Sequence, residues 1–194
     1  MKKIVYMMRH GQTLFNARRK IQGWCDSPLT ELGINQAKVA QNYFKAQGIQ
    51  FTDAYASTSQ RACDTLELIT SMSYQRIKGL KEWNFGTLEG ESEDLNPSLP
   101  YQDFFVSYGG EEEMEFRKRI SSTMFDIAQL AKGDSILVVS HGAACAQFVR
   151  AWEHTSALRQ NKRLSNCCIL KFEYEDESFK LIEIMNHNFE EILC

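Results

Sequence analysis

Ile4-Val5-Tyr6-Met7-Met8-Arg9-His10-Gly11 places five apolar residues directly before a cation, an imidazole and a glycine. A short apolar run without alternation suits a strand buried on both faces, the kind that occupies the middle of a parallel sheet. Ser135-Ile136-Leu137-Val138-Val139-Ser140-His141-Gly142 repeats the pattern and also ends in His-Gly. In open parallel sheets ligands bind beyond the carboxyl ends of the strands. The two stretches therefore predict a sheet and, at one edge of it, a site.

The chain between and after them alternates helix and strand patterns. Thr30 is the expected cap of a helix with Glu31 at its positive end; Gly33, Ala37, Ala40 and Phe44 share one face, and Gly48 stops it. Asp53 to Ser57 reads as a strand, and Ser59 as the cap of a helix that turns Ala62, Leu66 and Ile69 inward. Phe116, Ile120, Met124 and Ile127 stripe a helix over 113–131 that Gly133 ends, and 142–153 reads as another. Leu170, Phe172 and Tyr174 alternate with polar residues, and Asp176-Glu177-Ser178 turns the chain into a last strand, Phe179 to Met185. This order predicts an α/β domain with a mostly parallel sheet. Residues 91–110 interrupt the rhythm with Pro97, Pro100, Gly109, Gly110 and four aromatics, and are expected to form an inserted loop with one short helix.

The length of 194 residues fits one domain, 1–194, with that segment as an insertion or cap. Hydrophobic residues at 43% and charged residues at 24% exclude wholesale disorder and coiled-coil structure. With 22 basic and 25 acidic residues the net charge is −3, so nothing global favours nucleic acid or an acidic membrane as partner. No apolar run approaches the ~18 residues of a membrane span. The five apolar residues after Met1-Lys2-Lys3 are shorter than the roughly 7–15 of a signal-peptide core, so a cytoplasmic location is expected. The six cysteines form no CxxC and are read as reduced thiols acting as small hydrophobes. A homodimer is left open.

Arg9, His10, Arg61 and His141 converge on the predicted edge. Singly, a strand-end histidine is more often structural and Arg61 a solvated helix residue. However, Arg61 lies near the positive end of its helix, where a cation is disfavoured unless an anion is bound. Two guanidiniums and helix N-termini make an anion site that suits a tetrahedral phosphoryl group, and a glycine after each histidine lets backbone approach a ligand. An unperturbed imidazole is roughly three quarters neutral at pH 7, and neighbouring arginines push it further that way, leaving a lone pair for attack on phosphorus. An acid for the leaving alkoxide is also needed. The histidines lack HxH or HExxH spacing, so no metal is expected, and His154 and His187 are read as structural or surface residues.

Arg9-His10-Gly11-Gln12-Thr13 with Asn16, Gly23 through Gly33 with Gln36-Ala37, Ser57 through Arg61-Ala62 with Thr65, Leu80-Lys81-Glu82 with Phe85-Gly86 and Leu88-Glu89-Gly90, and Val138 through Gly142 with Leu164-Ser165-Asn166 follow one another in a set order. In this they resemble the histidine phosphatase superfamily, in its phosphoglycerate-mutase-like branch. The resemblance implies a three-layer α/β/α sandwich and a phosphohistidine on His10. It implies that Arg9, Arg61 and His141 bind the phosphoryl group with Asn16 assisting, that Glu82 is the acid and later the base, and that Gln22, Gly23 and the Gly142 amide line the pocket. No cofactor is implied. The choice of Glu82 over Glu89 rests on the resemblance alone.

The expected activity is hydrolysis of a small phosphorylated metabolite. A phosphoglycerate mutase-type phosphotransferase needs extra cations over the pocket. Residues 91–110 have no Lys or Arg and carry Glu91, Glu93, Asp94 and Asp103, so a doubly anionic substrate is expected to be repelled. A non-catalytic phospho-ligand binding module is the alternative from another class, and a phosphoprotein phosphatase is not excluded.

Overall fold

The computed structural model describes residues 2–156 and 158–187. A central sheet is built from β1 (Lys3–Arg9), β2 (Asp53–Ser57), β3 (Gln75–Ile77), β4 (Ser135–Ser140), β5 (Ile169–Glu175) and β6 (Ser178–Met185). Their order is β3-β2-β4-β1-β5-β6. The first four are mutually parallel; β5 runs antiparallel to β1, and β6 antiparallel to β5. The two apolar runs are the central neighbours β4 and β1. The turn between β5 and β6 has positive φ at both Asp176 and Glu177, the two-residue hairpin geometry that matches strand twist.

Alternation of side chains along the central strands builds two cores. Val5, Met7, Ile136 and Val138 face α4 (Glu113–Leu130) and α5 (Gly142–Ala151), meeting Phe116, Ile120, Met124 and Phe148. Tyr6, Met8, Leu137 and Val139 face α2 (Glu31–Ala46) and α3 (Gln60–Ile69), meeting Ala37, Phe44, Ala62 and Leu66. The sheet is thus sandwiched between helices, in the expected three layers. The chain leaves β1 toward one face and β4 toward the other. That divergence opens a crevice between adjacent strand ends.

Several local expectations change. Ser59 occupies the cap position of α3, but its hydroxyl makes no cap hydrogen bond; the Asp26 carboxylate receives the Gln60 N–H instead. A short helix α1 (Leu14–Ala17), closed by a Thr13/Asn16 capping box, and the short β3 were not anticipated. α5 ends at Ala151, and a 3-10 turn follows at Glu153–Thr155. The 91–110 segment holds two 3-10 turns, Glu93–Leu95 and Phe104–Tyr108, instead of one helix. Phe105 is fully buried against Phe85, Tyr101 and Trp83 and anchors this otherwise largely exposed segment to the core beside α4.

Gly11 does not open the backbone to a ligand. It lies against Gly33 of α2: a side chain on Gly11 would meet the Gly33 carbonyl at 2.5 Å, and one on Gly33 would run into the Gln12 carbonyl. These are backbone obstacles that cannot swing aside. We expect Gly33→Ala to cost about 1–3 kcal/mol, as overpacking does, lowering the thermal midpoint by about 2–4 °C per kcal/mol. Activity falls with it, because the displaced backbone adjoins His10. A differential scan beside a phosphatase assay checks both.

Candidate active site

Strand register brings the histidines together. Arg9 pairs with Ser140 across β1 and β4, and His10 N donates to the Ser140 carbonyl at 3.0 Å. His10 and His141 therefore leave adjacent strands at one level, with ring centroids 5.3 Å apart. Ala56 pairs with Val139 across β2 and β4, which sets Ser57 beside them; its Oγ lies 2.8 Å from His141 Nε2.

The His10 ring is fixed from both sides. Nδ1 lies 2.7 Å from the Gly11 carbonyl, which can only accept, so Nδ1 carries the proton. Nε2 is left as the lone-pair nitrogen and accepts from Arg61 Nε at 3.2 Å. Burial first, then the charges of Arg61 and Arg9, hold this imidazole well below its ordinary range. Burial and Arg61 do the same for His141. Both rings are neutral near pH 7, and His10 presents one defined nucleophilic atom.

Arg61 is 1% exposed, not a solvated helix residue. Its NH1 donates to the Cys25 carbonyl and to Asp26 Oδ1, each at 2.9 Å, and its NH2 to the Gly23 carbonyl at 2.8 Å. Arg9 NH1 donates to the Leu164 carbonyl at 2.8 Å, while Arg9 Nε and His141 Nδ1 are buried and have no hydrogen-bond partner among the described residues. Buried polar atoms of this kind need a partner. A phosphoryl oxygen supplies an acceptor that the protein does not. Gly142 makes room here: a side chain on it would meet Arg9 Nε at 3.2 Å.

Glu82 is buried at the start of α5, where Oε1 accepts from Trp83 N and Ala144 N at 2.9 and 3.0 Å, and Oε2 from Ala143 N at 2.9 Å. Burial raises its pKa above the usual carboxylate range, against the pull of these donors and of Arg61 and Arg9. Arg119 of α4 holds the local backbone by donating to the carbonyls of Gly79, Lys81 and Glu82, and it is itself clamped by both carboxylate oxygens of Glu111. Glu89 has a different task. Its carboxylate accepts from the backbone of Trp24, Cys25 and Phe85 and ties the loop over Arg61 to the Glu82 segment.

A cleft of about 700 Å³ opens over these groups. Arg9, His10, Asn16, Gln22, Glu82 and Gly142 line it. Arg61 and His141 lie beneath it, fully buried. Gly23 is not in its wall, contrary to expectation: its carbonyl holds Arg61, and a side chain there would strike the Trp83 carbonyl and Glu89. Sequence reading assigned no role to Ser57, Asp26, Arg119 or Asn166. The first two and Asn166 lie within or beside the quoted blocks, which is the one signal that marks them.

The expected repulsion of a doubly anionic substrate is also overturned. Arg19, Lys20, Arg150, Lys162 and Arg163 stand in the cleft wall, all from outside 91–110. The acids of the insertion meet them: Asp94 pairs with Arg19 at 2.6 Å and Glu93 approaches Arg163 at 4.0 Å. Of the insertion aromatics only Tyr101 lines the cleft. Among the described residues no group of three His, Cys, Asp or Glu is placed to hold a metal ion, and no helix is long and apolar enough to cross a membrane. His154 stacks on Trp152 and His187 packs edge-on to Tyr43. Cys25, Cys63, Cys145, Cys167 and Cys168 are free thiols, and Cys194 lies outside the described residues.

The chain is similar in sequence and in fold to known proteins. A protein from Yersinia pestis (strain Pestoides F) described as probable phosphoglycerate mutase GpmB is 32% identical over 185 residues, covering 89% of this chain and 85% of its own length. The crystal structure of a phosphoglycerate mutase from Bacillus anthracis superposes with a TM-score of 0.81 at 26% identity, covering 94% of this chain and 92% of its own. Phosphoserine phosphatase from Entamoeba histolytica, solved with 3-phosphoglyceric acid, gives 0.79 at 27% identity over 95% and 98%. Residues 5–187 match the family description itself, and the chain belongs to the histidine phosphatase superfamily (branch 1).

Proposed function

We propose that the chain hydrolyses a small phosphorylated metabolite through a phosphohistidine on His10, with Glu82 as general acid and then base. The observation that carries this reading is the His10 ring: buried, neutral, locked in one tautomer, with its lone-pair nitrogen against a guanidinium. Nε2 attacks phosphorus, the P–O bond to the leaving group breaks, and the proton on Glu82 goes to the departing alkoxide. The Glu82 carboxylate then takes a proton from a water that attacks phosphorus; the N–P bond breaks, releasing inorganic phosphate and neutral His10. Arg9, Arg61 and His141 stabilise the charge on the transferring group, with Asn16 and the Gly142 amide beside them. No metal or cofactor enters these steps.

The cations of the cleft wall support a substrate with a second anionic group. The same observation favours a second reading, a mutase-type phosphotransferase, for which two of the similar proteins are named.

One matched pair tests both. Purified protein without added metal is given 3-phosphoglycerate or glycerol 3-phosphate, and inorganic phosphate release is followed beside intermolecular phosphoryl transfer. The expected result is release of phosphate, with kcat/KM about 10-fold or more higher for the carboxylate-bearing member, the scale of one charge-assisted contact. Equal rates contradict the second anion. Transfer without release establishes the mutase. Binding without either reaction leaves a binding module.

A further inference from the structure

Asn166 stands where the chain enters β5, outside the residues given a role above. Its Nδ2 donates to the His10 carbonyl at 3.1 Å and to Asn16 Oδ1 at 3.2 Å. A carbonyl can only accept, which identifies that atom as the nitrogen. Both its hydrogens are committed, one to the nucleophile's own backbone and one to a residue in the cleft wall. Asn16 Oδ1 also accepts from Thr13 N at 3.2 Å. With two donors converging on that oxygen, the Asn16 amide has one orientation. Asn16 Nδ2 engages no protein acceptor among the described residues and is the polar atom left for a ligand.

The segment that carries Asn166 is firmly held. Ser165 donates to Asn186 Oδ1 through Oγ at 2.8 Å and through its backbone at 3.3 Å. Cys167 N donates to the Arg9 carbonyl at 3.1 Å. Asn166 is thus a fixed strut between the start of β5 and the cleft, able to set the orientation of a softer neighbour.

We propose that Asn166 is a positioning residue of the phosphoryl site and acts through Asn16, by keeping the N–H face of that amide toward the phosphoryl oxygens. An amide turned over would present its own oxygen to an anion and repel it. The inference rests on the cleft taking a phosphoryl group, and not on the covalent step at His10.

The test is a double-mutant cycle read by calorimetric binding of inorganic phosphate to wild type, Asn166→Ala, Asn16→Ala and the double variant. Asn166→Ala removes the strut without adding charge. Expected is a rise of about tenfold in the phosphate Kd when Asn16 is present, the scale of a charge-assisted hydrogen bond, and less than about threefold when Asn16 is already alanine. An equal loss in both backgrounds overturns the proposal, because Asn166 then acts through the His10 carbonyl or the fold. So does an unchanged Kd in Asn166→Ala. Should that variant not fold, Asn166→Leu, which fills nearly the same space without donors, gives the same comparison. A wild-type protein that binds no phosphate removes the phosphoryl site itself, a failure distinct from that of the Asn166 assignment.

Discussion

His10→Ala lowers turnover of every phosphomonoester by at least about 10⁴-fold, the loss seen when a nucleophile that acts with its partners as one unit is removed. His141 lies beneath the cleft floor with Nε2 against Ser57, so the second imidazole cannot take over the attack. The variant still binds inorganic phosphate, because Arg9, Arg61 and Asn16 remain. Circular dichroism is measured alongside, since His10 is 3% exposed and its loss leaves a small gap beside Arg61. Activity within tenfold of wild type removes His10 from the chemistry.

Glu82→Gln separates the two halves of the reaction. With an alkyl phosphate the first half needs a proton for the leaving oxygen, and turnover falls by about 10²–10⁴, the usual worth of a positioned acid. With p-nitrophenyl phosphate the leaving group departs without that proton. His10 is then phosphorylated at near the wild-type rate, and the reaction stalls at the second half, where water needs a base. The expected record is a burst of nitrophenolate approaching one equivalent per chain, followed by slow turnover. The substitution also turns an amide N–H₂ toward Ala143 N, which now donates to Oε2. Some loss of stability is expected, about 1–3 kcal/mol for an unsatisfied buried donor. The burst amplitude counts folded sites and corrects for it. A uniform slowing of both substrates with no burst contradicts the role given to Glu82.

Much of this site is legible in sequence for one physical reason: strand ends are local. An apolar run followed by His-Gly places an imidazole at a sheet edge whatever else the chain does, and parallel pairing of two such runs sets His10 and His141 side by side. Arg61 is legible in the same way, as a cation at a helix N-terminus, where one is disfavoured without an anion. Glu82 is different. It follows a single 3-10 turn and is held by α4 through Arg119 and by α5 through two backbone donors. No periodicity marks it, and only the resemblance distinguished it from Glu89. Ser57, Asp26 and Asn166 act by orienting other side chains, and such relations exist only after folding.

The cations show the opposite failure. The 91–110 segment supplies Glu93, Pro97 and Tyr101 to the cleft wall. Its charge was then weighed without Arg19, Lys20, Arg150, Lys162 and Arg163, which come from three separate parts of the chain. The electrostatics of a cleft belong to its assembled walls, and local composition gave the wrong sign. The glycines teach a similar lesson: Gly11 and Gly33 lie 22 positions apart, yet the Gly33 backbone bars a side chain from Gly11 and the Gln12 backbone bars one from Gly33.

Whether a covalent bond forms at His10 Nε2 decides the account. Rapid quenching of Glu82→Gln with ³²P-labelled p-nitrophenyl phosphate, followed by peptide mapping in alkali, is the direct measurement. Label that is lost in acid, survives base and maps to the peptide containing His10 is the predicted result. A quenched protein that carries no label while product has formed, or label confined to another residue, contradicts it.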